Sequence, residues 1–228
     1  MIIAIDGPAG SGKSTVTKSL AKKLGFLHID TGAMYRALTL KALETKTDIK
    51  KSRSVAALAR KTKIDLREAA NGPLKVYLDE RDVSREIRQP QITQHVSDIA
   101  KIPGVRKIML QLQRQVGKKH NCILEGRDIG TVVFPDADIK FFIDAQFDER
   151  VQRRYKDMKD LKIKGVTVTD VASDLSNRDT IDSTRKCAPL KRAFDAIYID
   201  TTHMSIEKVV EKLLKKITAK AAPSQSHS

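Results

Sequence analysis

Gly7-Pro8-Ala9-Gly10-Ser11-Gly12-Lys13-Ser14, with Thr15 behind it, fits G-x-x-x-x-G-K-[ST] at every fixed position. These residue types at this spacing suit one kind of chemistry, the gripping of a chain of phosphates. Glycines let the backbone wrap closely, so that successive N–H groups point at phosphate oxygens. A helix that begins inside the loop turns its positive end toward the same oxygens. Lys13 is placed to neutralise charge between the β- and γ-phosphates, and the Ser14 hydroxyl can ligate Mg²⁺. The match speaks for a nucleoside triphosphate. It leaves the acceptor open, because ATPases, switches and small-molecule kinases share it.

Three later segments set guanidinium groups beside acids and turns. They are Asp30-Thr31-Gly32-Ala33-Met34-Tyr35-Arg36, Glu125-Gly126-Arg127-Asp128-Ile129-Gly130-Thr131 and Arg178-Asp179-Thr180-Ile181-Asp182-Ser183-Thr184-Arg185. Arginine holds phosphate through two parallel hydrogen bonds. The chemistry implied is a second anion site, for an acceptor that already carries a phosphate. In a chain with 31% charged residues, one such arginine would be read as a surface ion pair. Three groups after strand ends or within one charged motif point to a site instead.

Positioning these groups takes an α/β frame. Residues 2–5 form a short apolar run ending at Asp6, the buried strand that such a loop must follow. Residues 13–24 read as a helix with Val16, Leu20 and Leu24 on one face, stopped by Gly25. Residues 27–30 are a second strand, and 32–43 a helix offering Met34, Ala37, Leu38 and Ala42 to a core. Both arginine segments that follow strands lie at carboxyl ends, where open α/β sheets bind ligands. Residues 64–83 alternate at period two around Asn71-Gly72-Pro73, which predicts a small inserted antiparallel sheet. Helices are expected at 91–101 and 105–118 with a break at Pro103-Gly104, and strands at 122–125, 139–144 and 196–200. A last helix, capped by Ser205, carries Ile206, Val209, Val210, Leu213, Leu214 and Ile217 as one stripe. The expected layout is one catalytic domain over 1–218, with an inserted lobe at about 31–120 and a lid at about 150–185, its mobile part near 156–169. Residues 219–228 read as a disordered tail.

The 228 residues suffice for one core with a small attached lobe. No run approaches the roughly 18 to 20 apolar residues of a membrane span. The amino terminus reads as a strand rather than a signal peptide, so a cytoplasmic protein is expected. Cys122 and Cys187 show no metal or disulfide spacing, which suits a reducing compartment, and each is expected to be a small buried apolar residue. Basic residues number 43 against 28 acidic, a net +15 that attracts polyanions. Aromatics are 4% and Trp is absent, which leaves little to stack bases, so nucleic acid is not the expected main partner.

The phosphate loop from Ile5 to Thr15, the Asp30–Arg36 segment, the run from Gly126 through Val133-Phe134-Pro135-Asp136-Ala137, and Arg178-Asp179 through Asp182 to Arg185 together resemble the bacterial cytidylate kinase family. Order and spacing fit over nearly the whole chain except the tail. The resemblance implies transfer of the ATP γ-phosphate to CMP or dCMP, in a P-loop core with a monophosphate-binding lobe and a lid, and the expected state of the protein is a monomer. It implies that Arg36, Arg127 and Arg185 hold the acceptor phosphate beside Thr31. Ser97, Arg106 and Asp128 would face cytosine, and Arg178 and Asp182 the ribose. Arg150 and Arg154 would serve the ATP side from the lid. Glu125 departs from the family, which usually has aspartate there. It has a place either near Mg²⁺ or as partner of a neighbouring arginine.

A phosphate monoester has a second pKa of about 6 and is already largely ionised at neutral pH. Transfer to it needs no general base, in keeping with His28, His95, His120 and His203, which lack triad or metal spacing and read as structural or exposed. Lys13, Arg127 and Arg185 are expected to carry catalysis by charge neutralisation. Two rivals stay open. One is another small-molecule kinase of the same architecture. The other is a nucleic-acid-stimulated ATPase or switch.

Overall fold

Alternation along the first strand sets the layers. Ile3 and Ile5 of β1 (Ile2–Asp6) join a core beneath α1 (Lys13–Leu24) and α8 (Ile206–Ala221), whereas Ala4 points to the opposite face. The computed structural model describes residues 1–69, 72–160, 163 and 165–221. β2 (Leu27–Asp30), β6 (Cys122–Gly126), β7 (Ile139–Asp144) and β8 (Ile197–Asp200) join β1 in a parallel sheet of order β2-β6-β1-β7-β8. β1 is therefore central, and the chain leaves its carboxyl end where the strand order reverses. That is the crevice in which doubly wound sheets hold ligands.

The second face is closed by Leu124, Ile129, Val133 and Phe134 with Leu110 and Val116 of α5 (Pro103–Gly117). A separate core fills the inserted lobe. There α2 (Thr31–Glu44), α3 (Ser52–Lys61), α4 (Pro90–Ala100) and α5 pack with the antiparallel sheet β3 (Ile64–Ala69), β4 (Gly72–Leu78) and β5 (Arg81–Asp82). Finally, α6 (Phe147–Asp160) and α7 (Val168–Thr184) rest on the loop, since Val151, Met158, Val171 and Leu175 enclose Ala9.

Several expectations change. α3 has no counterpart in the sequence reading, because only Val55, Ala56 and Ala59 are buried on it. Pro103 opens α5 rather than separating two helices. Its missing N–H costs nothing at a first helical position, and the break falls at Lys101-Ile102. Ile206 is exposed, so the buried stripe of α8 starts at Val209. α8 also continues through Ala221, which takes residues 219–221 out of the expected tail; residues 222–228 lie outside the described residues, as do Asn71 and part of the 156–169 segment. Cys122 is buried as expected and burial pushes its thiol up to about 11, but Cys187 is only half-buried. Among the described residues no helix is long and apolar enough to cross a membrane.

Candidate active site

The phosphate loop owes its shape to glycine. Gly7 has φ +151°, and a Cβ there would stand 1.9 Å from the Ile143 carbonyl oxygen of the neighbouring strand. Gly10 and Gly12 have φ of +77° and +85°. Gly7→Ala is expected to cost about 3 kcal/mol through strain and clash, read as a lower urea midpoint at unchanged slope. Gly12 is the residue before α1 and supplies no side-chain cap. At φ +85° a non-glycine residue would be strained, so the helix has no place for the usual capping side chain. Its absence leaves the first N–H groups of α1 for an anion.

Lys13 is buried and folds back over the loop, donating to the Pro8 carbonyl at 2.5 Å and to Ser11 Oγ at 3.2 Å. Burial, with Arg127 adding to it, pulls its pKa down to about 7. The Ser14 hydroxyl donates to Glu125 Oε2 at 2.7 Å. His28 Nε2 stands 2.8 Å from Glu125 Oε1 and 3.2 Å from Thr17 Oγ1. Of the two places left open for Glu125, the arginine pairing is not made among the described residues, where its side-chain partners are Ser14 and His28. The extra methylene lets one carboxylate reach both. Ser14 and Glu125 are hard oxygen donors at the mouth of the loop, a donor set that fits a divalent cation held mainly by phosphates. Thr15 is exposed on the first turn of α1.

The residues expected on the acceptor side fall into two adjoining clusters. In the first, Arg127 Nε donates to Asp182 Oδ2 at 2.9 Å. Arg178 Nη1 lies 3.8 Å from Asp174, and Arg36 Nη1 lies 3.7 Å from Asp30. Arg36 Nη1 and Arg178 Nε are buried without a hydrogen-bond partner among the described residues. Burial, then the neighbouring Arg127 and Arg36, lowers Arg178 to about 10. Burial lifts Asp182, but Arg127, Arg185 and Arg178 outweigh it and hold the carboxyl below its usual value. Thr31 donates to the Glu125 carbonyl at 2.7 Å and so sits between this cluster and the loop. Several cations around few carboxylates, with donors left over, form a place for an anion.

In the second cluster Asp128 pairs with Arg106 and lies 3.3 Å from Arg185 Nη2. Arg185 also approaches Asp182 at 3.5 Å and donates to the Ala188 carbonyl. Arg106 lies over the Tyr35 ring and donates to the Ala100 carbonyl at 3.2 Å. Ser97 is buried one turn earlier on α4. The structure thus ties Asp128 and Arg106 to each other.

On the lid side Arg150 donates to the Ala9 carbonyl at 3.1 Å and to Asp179 at 2.5 Å, which places it against the loop. Arg154 makes no hydrogen bond to the loop among the described residues, and its Nε is buried without a partner among them. Arg153, absent from the sequence reading, is held by Thr201 at 3.0 Å with its guanidinium beside Gly12. Arg153 and Arg154 both lie about one turn from Arg150, so helical spacing alone could not choose between them. Asp6, His28 and Tyr35 were likewise missed as site neighbours.

A phosphate loop at the centre of a parallel sheet, faced by an arginine cluster beside α6 and α7, defines a P-loop kinase. A lobe of α2 to α5 and β3 to β5 is inserted between β2 and β6. A family model described as cytidylate kinase matches residues 3–219, and the chain belongs to the cytidylate kinase family. It is an ATP-dependent nucleoside monophosphate kinase. The cytidylate kinase of Clostridioides difficile (strain 630) is 46% identical over 217 residues, 95% of this chain and 98% of that protein. That of Caldanaerobacter subterraneus subsp. tengcongensis is 48% identical over 215 residues, 94% of this chain and 93% of that protein. Among solved structures, an uncharacterized protein from Eubacterium ventriosum ATCC 27560 shares the fold alone. Its TM-score is 0.51 at 14% identity, covering 96% of this chain and 99% of that one.

Proposed function

We propose that the protein transfers the γ-phosphate of ATP to CMP or dCMP, giving ADP and CDP or dCDP by direct in-line displacement. The observation that carries this reading is the pair of anion sites, Lys13 on the loop and Arg36 and Arg127 on the acceptor side, close enough for Arg127 to depress Lys13. The acceptor phosphate is already ionised near neutral pH, so no general base is required. Loop N–H groups and Lys13 hold the donor. Arg36, Arg127 and Arg185, with Thr31, hold the acceptor. Asp128, Arg106 and Ser97 read the base, and Arg178 and Asp182 the ribose. Cytosine offers an amino donor beside ring acceptors, which suits a carboxylate with an arginine. Uracil reverses that pattern and leaves buried groups unpaired. Mg²⁺, held through Ser14 and Glu125 and by the phosphates, would offset negative charge on the transferring group. Residues 31–120 form the acceptor lobe and 150–185 the lid, which excludes water when closed. The protein acts as a cytoplasmic monomer.

The test is a coupled assay with ATP and a panel of monophosphates. CMP and dCMP should exceed UMP and AMP by roughly 10²-fold or more in kcat/KM. A preference for UMP, AMP or a non-nucleotide acceptor would overturn the assignment.

A second expectation follows from Lys13. Its pKa of about 7 in the free protein must rise once phosphates surround it. Binding an ATP analogue should therefore draw in about one proton at pH near 8.5 and far less at pH near 6. Calorimetry in buffers of different ionisation enthalpy measures that uptake, which should vanish in Lys13→Ala.

A further inference from the structure

Asp6 ends β1 directly before the phosphate loop and is buried. Both of its carboxylate oxygens are engaged. Oδ1 accepts the Ile129 N–H and Oδ2 the Gly130 N–H, each at 2.8 Å. These amides belong to the turn after β6, the parallel neighbour whose Gly126 stands opposite Asp6. Between the strand pairing at Gly126 and the bonds at Ile129 and Gly130 lie two residues, Arg127 and Asp128. The backbone is thus fixed on both sides of the pair that reaches Asp182, Arg106 and Arg185. Gly130 suits the approach, since a Cβ there would stand 3.1 Å from the Lys140 side chain and 3.5 Å from Asp6 Oδ2.

The position is a costly one for a carboxylate. Burial pushes Asp6 up to about 6, although both amides and Lys13 pull it down and only Asp128 adds to the rise. A buried acid of this kind costs stability at neutral pH, and its two amide bonds offset only part of that cost. We propose that Asp6 is a positioning residue for the acceptor. Its two bonds lock the 126–130 turn so that Arg127 and Asp128 face the acceptor, and they join the base of the triphosphate loop to the acceptor side. This inference rests on the reading that Arg127 and Asp128 serve the acceptor.

Asp6→Asn is the test, because asparagine keeps the size but has one acceptor oxygen. Its amide would meet an N–H, donor against donor, and one bond is lost. With an ATP analogue saturating, the Kd for CMP should rise roughly tenfold, while KM for ATP changes less than about threefold and kcat falls less than KM for CMP rises. Equal weakening of both nucleotides, or unchanged CMP affinity, overturns the proposal. If the wild type itself binds no CMP, the acceptor reading fails and this inference falls with it. If Asp6→Asn does not fold, hydrogen exchange in the wild type decides. The Ile129 and Gly130 amides should be the slowest of the turn and slow further with CMP. Exchange as fast as in exposed loops overturns the proposal.

Discussion

Lys13→Ala is expected to lower phosphoryl transfer by roughly 10³-fold while leaving the protein at least as stable at neutral pH. The two outcomes come from the same side chain. Folding carries the Lys13 ammonium out of water and pulls its pKa from 10.5 to about 7, chiefly by burial and then by Arg127. A lysine with a depressed folded pKa contributes stability above its unfolded value and loses it as pH falls through the folded value. At pH 7 most of that loss is present, so removing the group should hold or raise Tm. Above pH 10 the wild type should regain the difference. An ATP analogue should raise Tm in the wild type and much less in the variant. The residue is a strain on the fold that its chemistry justifies. Full transfer activity in Lys13→Ala would remove the phosphate-loop assignment altogether.

What the sequence makes legible is what is local. The loop, the strand before it and the helix after it lie within residues 2–24, and the glycines carry their conformational reason on their faces. The arginines of the acceptor side could be listed in advance because the family resemblance named them. No spacing rule would have joined Arg106 to Asp128, 22 residues on, or Arg127 to Asp182, 55 residues on. Asp6 was read only as the end of a strand, and its partners lie 123 and 124 residues away. His28 looked structural, and its link to Glu125 spans 97 residues. Once β2, β6 and β1 are seen side by side, the Asp6 and His28 links are contacts between neighbouring strands of a parallel sheet and the turn that follows one of them. They are invisible in sequence because parallel pairing needs long crossovers. α3 escaped for a different reason: its buried face is only Val55, Ala56 and Ala59, small side chains in a segment otherwise rich in charge.

Asp128→Asn is expected to damage both the fold and recognition, and the two losses can be separated. Asp128 is the counter-charge of two buried guanidinium groups, those of Arg106 and Arg185. Breaking one member of such a set leaves uncompensated buried charge and costs about 3 to 5 kcal/mol. Urea unfolding should show that loss as a lower midpoint with an unchanged slope. If Asp128 also accepts the amino group of cytosine, kcat/KM for CMP should fall by roughly 10² to 10³ while that for UMP changes far less. Asparagine can still turn an amide nitrogen toward a uracil carbonyl. A purely structural role would depress both acceptors equally once the folded fraction is corrected. Replacing the pair together, Arg106→Met with Asp128→Leu, removes one charge of each sign and should recover much of the stability. It should recover none of the preference for cytosine. Stability regained together with specificity would mean that the pair is scaffold and that the base is read elsewhere.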